Sequence, residues 1–155
     1  MRLSRDIAYE TVKSWHEAHE EAVAGWETDA RCPGCAAGTG NDEVTDAVMA
    51  ALTSGVELAF DPKGEPVYGL AVDDVVPEVV EALANEVCDF WHSCADDLAG
   101  IGPGQIGYDF NLTRNRHGAG FWDRGLGEAG DRLTDMCRPF GEWVLYLGDD
   151  DKLHA

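Results

Sequence analysis

The segment between Val76 and Trp91 most strongly limits how this chain can fold, because its apolar side chains recur at helical steps. Asp73 or Asp74 can cap the start of the predicted helix, Pro77 suits its first turn, and the pattern continues to about Leu98. One side of this helix is apolar and is formed by Val76, Val79, Val80, Leu83, Val87, Phe90 and Trp91. The chain must therefore supply a hydrophobic core against which that side packs.

The composition can supply such a core. Of the 155 residues, 45% are apolar, and five Trp, five Phe and four Tyr are among them. A chain of this length fits one domain and buries roughly 68–70% of its unfolded surface, so extensive disorder is not expected. We find neither an apolar run after the N-terminal arginines nor a continuous apolar segment of membrane-spanning length, which predicts a cytoplasmic protein.

Acidic residues dominate the chain. Asp and Glu number 30 against 11 Lys and Arg, which gives a formal net charge of −19. Residues 1–105 contain 21 acids and five bases, whereas residues 106–155 contain nine acids and six bases. The first part is therefore strongly anionic, and the last part is nearly balanced. A surface of this sign repels nucleic acid and excludes a general nucleic-acid-binding protein.

Hydrophobic periodicity predicts further helices and several short strands. The additional helices are expected over residues 4–25, 42–53 and 127–139. Strands are expected over residues 56–60, 67–72, 106–113 and 143–147, with a return strand that begins at residue 121. Helices early in the chain and a small antiparallel sheet late in the chain define an α+β fold in one domain, with the N-terminal helices packed on the sheet.

Glycine and charged residues of both signs concentrate between Gln105 and Gly125, where a hairpin is predicted. Arg114 and Arg124 flank the turn and could donate forked hydrogen bonds to Asp109 or Asp123. Three interpretations are open: a buried polar corner that locks the hairpin, a ligand or partner site, or a catalytic His–Asp pair. The candidate polar site consists of Asp109, Arg114, Asn115, His117, Trp122, Asp123 and Arg124.

Residues 110–125 read FNLTRNRHGAGFWDRG. With the helix and strand that follow, this segment resembles a family of short proteins found on bacteriophage and plasmid genomes. The resemblance covers residues 100–155, and more weakly residues 77–83. Asn111 and Arg116 stand where the family pattern has an aromatic residue and a glycine, and Arg116 adds a positive charge there. The resemblance implies a mobile-element origin and no particular activity. Its matching residues are Phe110, Thr113, Arg114, Asn115, His117, Gly118, Ala119, Gly120, Phe121, Trp122, Asp123 and Arg124.

Five cysteines allow a metal site to be considered. Cys32 and Cys35 form a C-x-x-C pair in a predicted loop, which is half of a typical zinc site. Cys88, His92 and Cys94 could supply the remaining ligands, since Cys88 and His92 are four residues apart on the predicted helix. A redox pair and plain reduced thiols are the alternatives. A structural zinc ion is the only cofactor that the sequence suggests.

The acidic residues recur along helical faces, and four residues of helix rise about 6 Å, close to the spacing of phosphates along a DNA strand. We therefore expect a non-enzymatic inhibitor that presents a DNA-like carboxylate array to a basic nucleic-acid-binding protein of a host or competing element. A purely solvating or high-salt-adapted surface and a small ligand-binding domain or enzyme at the candidate polar site are the alternatives. The predicted partner-binding residues are Glu10, Glu17, Glu20, Glu21, Asp74, Glu78, Glu81 and Asp89.

Overall fold

The computed structural model of the protein describes residues 10, 11, 14, 42–116 and 119–155, without the side chains of residues 42 and 44. Residues 10, 11 and 14 are helical, and the rest of the helix predicted over 4–25 lies outside the described residues. The described part is mostly helical and carries a small antiparallel sheet near its C-terminal end. The coarse α+β assignment is confirmed. The five α-helices are α1 (Asp42–Glu57), α2 (Pro77–Ser93), α3 (Ala95–Leu98), α4 (Pro103–Arg114) and α5 (Glu128–Cys137).

Helix α1 is one turn longer than predicted. The sequence suggests an end at Gly55, but the helix continues to Glu57. Gly55 is buried, and a Cβ atom there would overlap the ring of Trp143. This glycine therefore allows a close approach of the C-terminal segment, and it does not terminate the helix.

Helix α2 confirms the predicted amphipathic helix, with Pro77 as its first residue. Its cap differs from the prediction, because Val76 occupies the N-cap position and makes no side-chain capping bond. Asp74 instead belongs to a short 3-10 helix, Val72–Asp74, where its carboxylate accepts a hydrogen bond from the backbone N–H of Ala71 at 2.8 Å. The helical pattern breaks after Ser93 and resumes in α3.

The strand predicted over 106–113 is wrong, because these residues form most of α4. Ile106 and Phe110 are both buried, which fits a helix as well as an alternating strand, since they are four residues apart. Asp109, expected on the polar face of a strand, is also buried. Gly107 decides the outcome: a Cβ atom there would overlap the carbonyl oxygen of Ala47, so only glycine lets α4 lie against the backbone of α1.

No hairpin forms around the predicted turn within the described residues, because Phe121–Asp123 is a 3-10 helix and not a return strand. The predicted C-terminal helix is confirmed as α5, and a 3-10 helix, Arg138–Phe140, follows it. Of the two elements predicted in this region, the helix is correct and the return strand is wrong in type.

The sheet consists of β1 (Tyr146–Leu147) and β2 (Leu153–His154), which pair antiparallel with Tyr146 opposite His154. Of the strand predicted over 143–147, only the last two residues are strand. The strands predicted over 56–60 and 67–72 do not form, and Phe60 makes isolated bridges to Pro66 and Tyr146. The backbone of Phe60 accepts from Leu147 at 2.8 Å and donates to Leu145 at 3.0 Å, which attaches the C-terminal segment beside α1.

The helices share a contiguous hydrophobic core. At its centre the rings of Phe90 and Phe110 lie 4.7 Å apart, and Phe121 packs 5.8 Å from Phe90. Phe140 meets Phe110 edge-on at 5.1 Å, and α5 contributes the fully buried Leu133. This cluster joins α2, α4 and α5 to the two C-terminal 3-10 helices. Within the described residues, no helix has the length and apolar character needed to cross a lipid bilayer.

Candidate functional site

Asp109 and Arg124 form a forked ion pair, as the sequence predicts. Arg124 donates from Nε to Oδ2 at 3.0 Å and from Nη2 to Oδ1 at 2.8 Å, and Gln105 donates to the same Oδ2 at 2.6 Å. The hydrogen bond to Asp109 is the main cause of a raised pKa for Arg124. Asp109 is fully buried and accepts three hydrogen bonds. Its carboxylate therefore fastens α4 to the loop before α5.

Arg114 does not pair with Asp109 or Asp123, in contrast to the sequence expectation. Its guanidinium donates to Glu86 of α2, to the carbonyl of Phe140 and to the carbonyl of Gly141, each at 2.8 Å. It also lies over the rings of Phe110 and Phe140, at 5.1 and 5.8 Å from their centroids. The side chain is only 2% exposed. Among the described residues, its Nη1 atom finds no acceptor.

Asn115 holds the C-terminal segment in place. Its Nδ2 donates to the carbonyl of Trp143 at 2.9 Å, and the Trp143 N–H donates back to its Oδ1 at 2.7 Å. One helical turn earlier, Asn111 donates to Ser54 of α1 at 2.6 Å, inside the core. Both amides have structural partners, which supports the interpretation of a polar corner for this part of the candidate polar site.

The other members of the candidate polar site do not converge on one point. Trp122 is 41% exposed, and Asp123 is also exposed. His117 lies outside the described residues, so no geometry bears on a catalytic His–Asp pair. The structure brings Asp109 together with Arg124, and Arg114 together with Asn115 near the C-terminal segment.

A depression of about 890 Å³ lies between the C-terminal end of α4 and α5. We call it the arginine-lined depression, and its charged and aromatic lining residues are Arg114, Arg116, Trp122, Asp131, Asp135, Arg138 and Glu142. Sequence reasoning missed the residues from α5 and beyond. Asp131, Asp135 and Arg138 recur at four- and three-residue steps, so they could have been recognised as one polar helix face.

The cysteine prediction is only partly covered by the structure. Cys32 and Cys35 lie outside the described residues. Cys88 and Cys94 are buried whereas His92 is exposed, so these three side chains do not share one surface. Over residues 42–116 and 119–155 no three potential metal ligands lie together. A zinc site that uses Cys32 and Cys35 stays a prediction.

Burial also sets the chemistry of the described thiols. Desolvation, aided by the charge of Asp97, raises the pKa of Cys94 to about 11. Burial raises the pKa of Cys137 as well. Burial therefore favours the neutral thiol form of both side chains.

The predicted acidic face is clearest on α2. Glu78, Glu81 and Asp89 are exposed and lie within one face of the helix, and we call them the α2 carboxylate face. Asp74 is only half-exposed and accepts a hydrogen bond from the N–H of Ala71, so it stabilises a local turn. Glu10 is exposed. The remaining predicted partner-binding residues, Glu17, Glu20 and Glu21, lie outside the described residues.

A second group of exposed carboxylates, which sequence reasoning did not single out, lies on α1. Glu43, Asp46 and Glu57 are exposed and share one side of that helix. Tyr108 donates to Glu57 at 2.8 Å, and this hydrogen bond raises the pKa of the tyrosine. No Lys or Arg occurs in α1 or anywhere from residue 64 to residue 113.

Comparison of the chain with protein-family models, with curated proteins and with solved structures yields no match. The described residues define a mainly helical α+β protein with an anionic helical surface and a separate depression lined by arginines. Within the described residues, these two surfaces are the candidates for a binding function.

Proposed function

We propose that the protein is a non-enzymatic accessory protein that binds and inhibits a basic nucleic-acid-processing protein through the α2 carboxylate face. The observation that supports this proposal most directly is the composition of that face. Glu78, Glu81 and Asp89 are exposed together, and within the described residues no ion pair joins them to a cation. Their charge is therefore available to a partner.

The rigidity of the helix favours recognition by a partner. The buried side of α2, with Leu83, Val87 and Phe90, anchors the helix in the core and fixes the spacing of the carboxylates. With a rise of 1.5 Å per residue, Glu78 and Asp89 are separated by about 16 Å along the helix axis. A groove that tracks a nucleic-acid backbone presents cations over a comparable length, so the two surfaces are electrostatically complementary.

An inhibitory role is compatible with the mobile-element origin that the resemblance of residues 110–125 implies, and the α2 carboxylate face carries the proposal. The proposal places the protein in the cytoplasm of a host cell, where the expected targets are host or competing proteins that process nucleic acid. Under this proposal the carboxylates occupy the cationic groove that would otherwise hold DNA or RNA.

The proposal is tested by capture of partners from a bacterial lysate on the immobilised full chain, at about 50 mM and about 500 mM NaCl. We expect basic nucleic-acid-binding proteins to be retained at low salt and lost at high salt, because the screening length falls several-fold. Duplex DNA added as a competitor should release the same proteins. The combined variant Glu78→Gln, Glu81→Gln and Asp89→Asn should weaken their binding about 10- to 100-fold.

A matched variant separates the α2 carboxylate face from the overall charge. Glu65→Gln, Asp149→Asn and Asp151→Asn remove the same number of negative charges from exposed positions outside α2. This control should bind nearly as well as the unmodified chain. If both variants lose binding equally, or if neither loses it, the α2 carboxylate face is not the recognition surface.

A further inference from the structure

The arginine-lined depression concentrates cations in a protein that is otherwise anionic. Residues 106–155 contain six Lys and Arg, and Arg114, Arg116 and Arg138 all line this one depression. Asp131, Asp135 and Glu142 lie on its walls and balance the three cations. An anion that is repelled by most of the surface can therefore approach here.

Arg114 lines the depression and is held rigidly. Its Nε and Nη2 atoms are occupied by Glu86, Phe140 and Gly141, and these contacts hold the guanidinium in a fixed position. Within the described residues, Nη1 has no acceptor although its side chain is 98% buried, since only 2% is exposed. Nη1 itself has almost no accessible surface, so Arg114 contributes a fixed positive charge beside the depression, and the donors to a ligand come from the exposed rim.

The rim supplies two cations that structural bonds engage less. Arg138 bonds only Asp135 among the described residues, at 2.9 Å, and both side chains are about two-thirds exposed. Arg116 is exposed and follows the C-cap of α4 with a φ of +56°, the left-handed conformation in which many helices end.

Trp122 adds an aromatic surface. Its ring is held against Gly120, where a Cβ atom would come within 2.5 Å of the ring. The ring nevertheless remains 41% exposed and lines the depression. A fixed, exposed indole ring beside arginines suits a planar apolar group that carries a single anionic substituent.

We infer that the arginine-lined depression binds a small molecule with one oxyanion, either a carboxylate or a phosphoryl group, attached to a planar ring. The oxyanion would accept hydrogen bonds from Arg116 and Arg138 near the fixed charge of Arg114, and the ring would stack on Trp122. This site lies on α4 and α5, apart from the α2 carboxylate face, and it does not depend on the function proposed for that face.

The experiment is a nuclear magnetic resonance titration of the full ¹⁵N-labelled chain with phenyl phosphate and, separately, with benzoate. Benzyl alcohol serves as the uncharged control. We expect saturable shifts of the Trp122 indole N–H and the Arg114 Nε–H signals with at least one anion, and none with the alcohol. Binding of phenyl phosphate alone assigns a phosphoryl ligand, and binding of benzoate alone assigns a carboxylate.

Two exposed-residue variants test the site without disturbing the core. The combined variant Arg116→Gln and Arg138→Gln should weaken anion binding about tenfold or more. Arg132→Gln, on α5 but outside the depression, should leave it unchanged. The inference is overturned if neither anion shifts these signals, if benzyl alcohol shifts them equally, or if Arg132→Gln weakens binding as much as the double variant.

Discussion

Individual buried polar residues determine how α4 is held. Asp109, Asn111 and Arg114 are each at most 4% exposed, and each is bonded to a different part of the chain. Burial of a polar group costs free energy unless a hydrogen bond replaces water. These partners therefore determine which segments must lie beside α4. Most described residues of the candidate polar site thus stabilise the tertiary structure.

Replacement of Arg124 tests this interpretation at a single residue. Arg124→Gln should leave the buried carboxylate of Asp109 without its cation, and such a loss costs 3–5 kcal/mol when both partners are buried. Because the Arg124 side chain is 38% exposed, water can partly replace its interaction with Asp109. We therefore expect the free energy of unfolding to fall by about 2 kcal/mol. The free energy of unfolding in urea measures the effect.

Two further variants control for this result. Adding Asp109→Asn to Arg124→Gln should recover part of the lost stability, because the buried charge is then removed. Arg132→Gln breaks an exposed ion pair with Asp97 and should change the unfolding free energy much less. Equal losses for Arg124→Gln and Arg132→Gln would contradict a special role for burial.

At the scale of whole elements, the crossing of α1 and α4 organises the described part. These two helices pack more extensively on each other than any other pair. The approach is close because Gly107 presents no side chain to Ala47, and the Asn111–Ser54 bond reinforces it one turn further along. The amide of Asn115 and the ring of Trp143 then attach the C-terminal segment to the same pair of helices.

Two glycines in α4 provide a matched test of this crossing. Gly107→Ala places a methyl group against the backbone of Ala47, so α1 and α4 must separate, and we expect a loss of about 3 kcal/mol. Gly104 lies in the same helix with open space around it, and Gly104→Ala should stabilise the protein slightly through its higher helix propensity. Thermal unfolding followed by circular dichroism compares them. Similar melting temperatures for both variants would show that the close approach is not needed.

At the scale of the whole molecule, charge opposes folding. A net charge of −19 brings many carboxylates together when the chain becomes compact, and most of them belong to residues 1–105. The described ion pairs Glu86–Arg114 and Asp109–Arg124 are partly or fully buried and are screened little by salt. Added salt should therefore relieve repulsion more than it weakens these attractive pairs.

The melting temperature should accordingly rise with ionic strength. Between about 20 mM and about 500 mM NaCl we expect an increase of about 3–6 °C, which corresponds to about 1–2 kcal/mol in a chain of this size. KCl should act like NaCl, since the effect is screening and not binding of a particular ion. A melting temperature that is constant or falls over this range would show that repulsion is not the dominant electrostatic term.

Local signals in the sequence were sufficient for several elements. The apolar repeat and Pro77 determine α2, the repeat around Leu133 determines α5, and charge indicates Asp109 as one of two possible partners of Arg124. These features depend on neighbours within one helix or on residues 15 positions apart. The distribution of acids, and with it the absence of cations from α1 and α2, is also readable directly from the sequence.

The tertiary structure alone decided the identity of α4 and the surfaces around it. Burial at positions 106 and 110 is compatible with a helix and with an alternating strand. Only the approach of Ala47 to Gly107 distinguishes these two structures. Arg114 bonds Glu86, 28 residues earlier, a choice that depends on packing in three dimensions. The arginine-lined depression likewise exists only because α4 and α5 come together, since no local pattern joins residues so far apart in the chain.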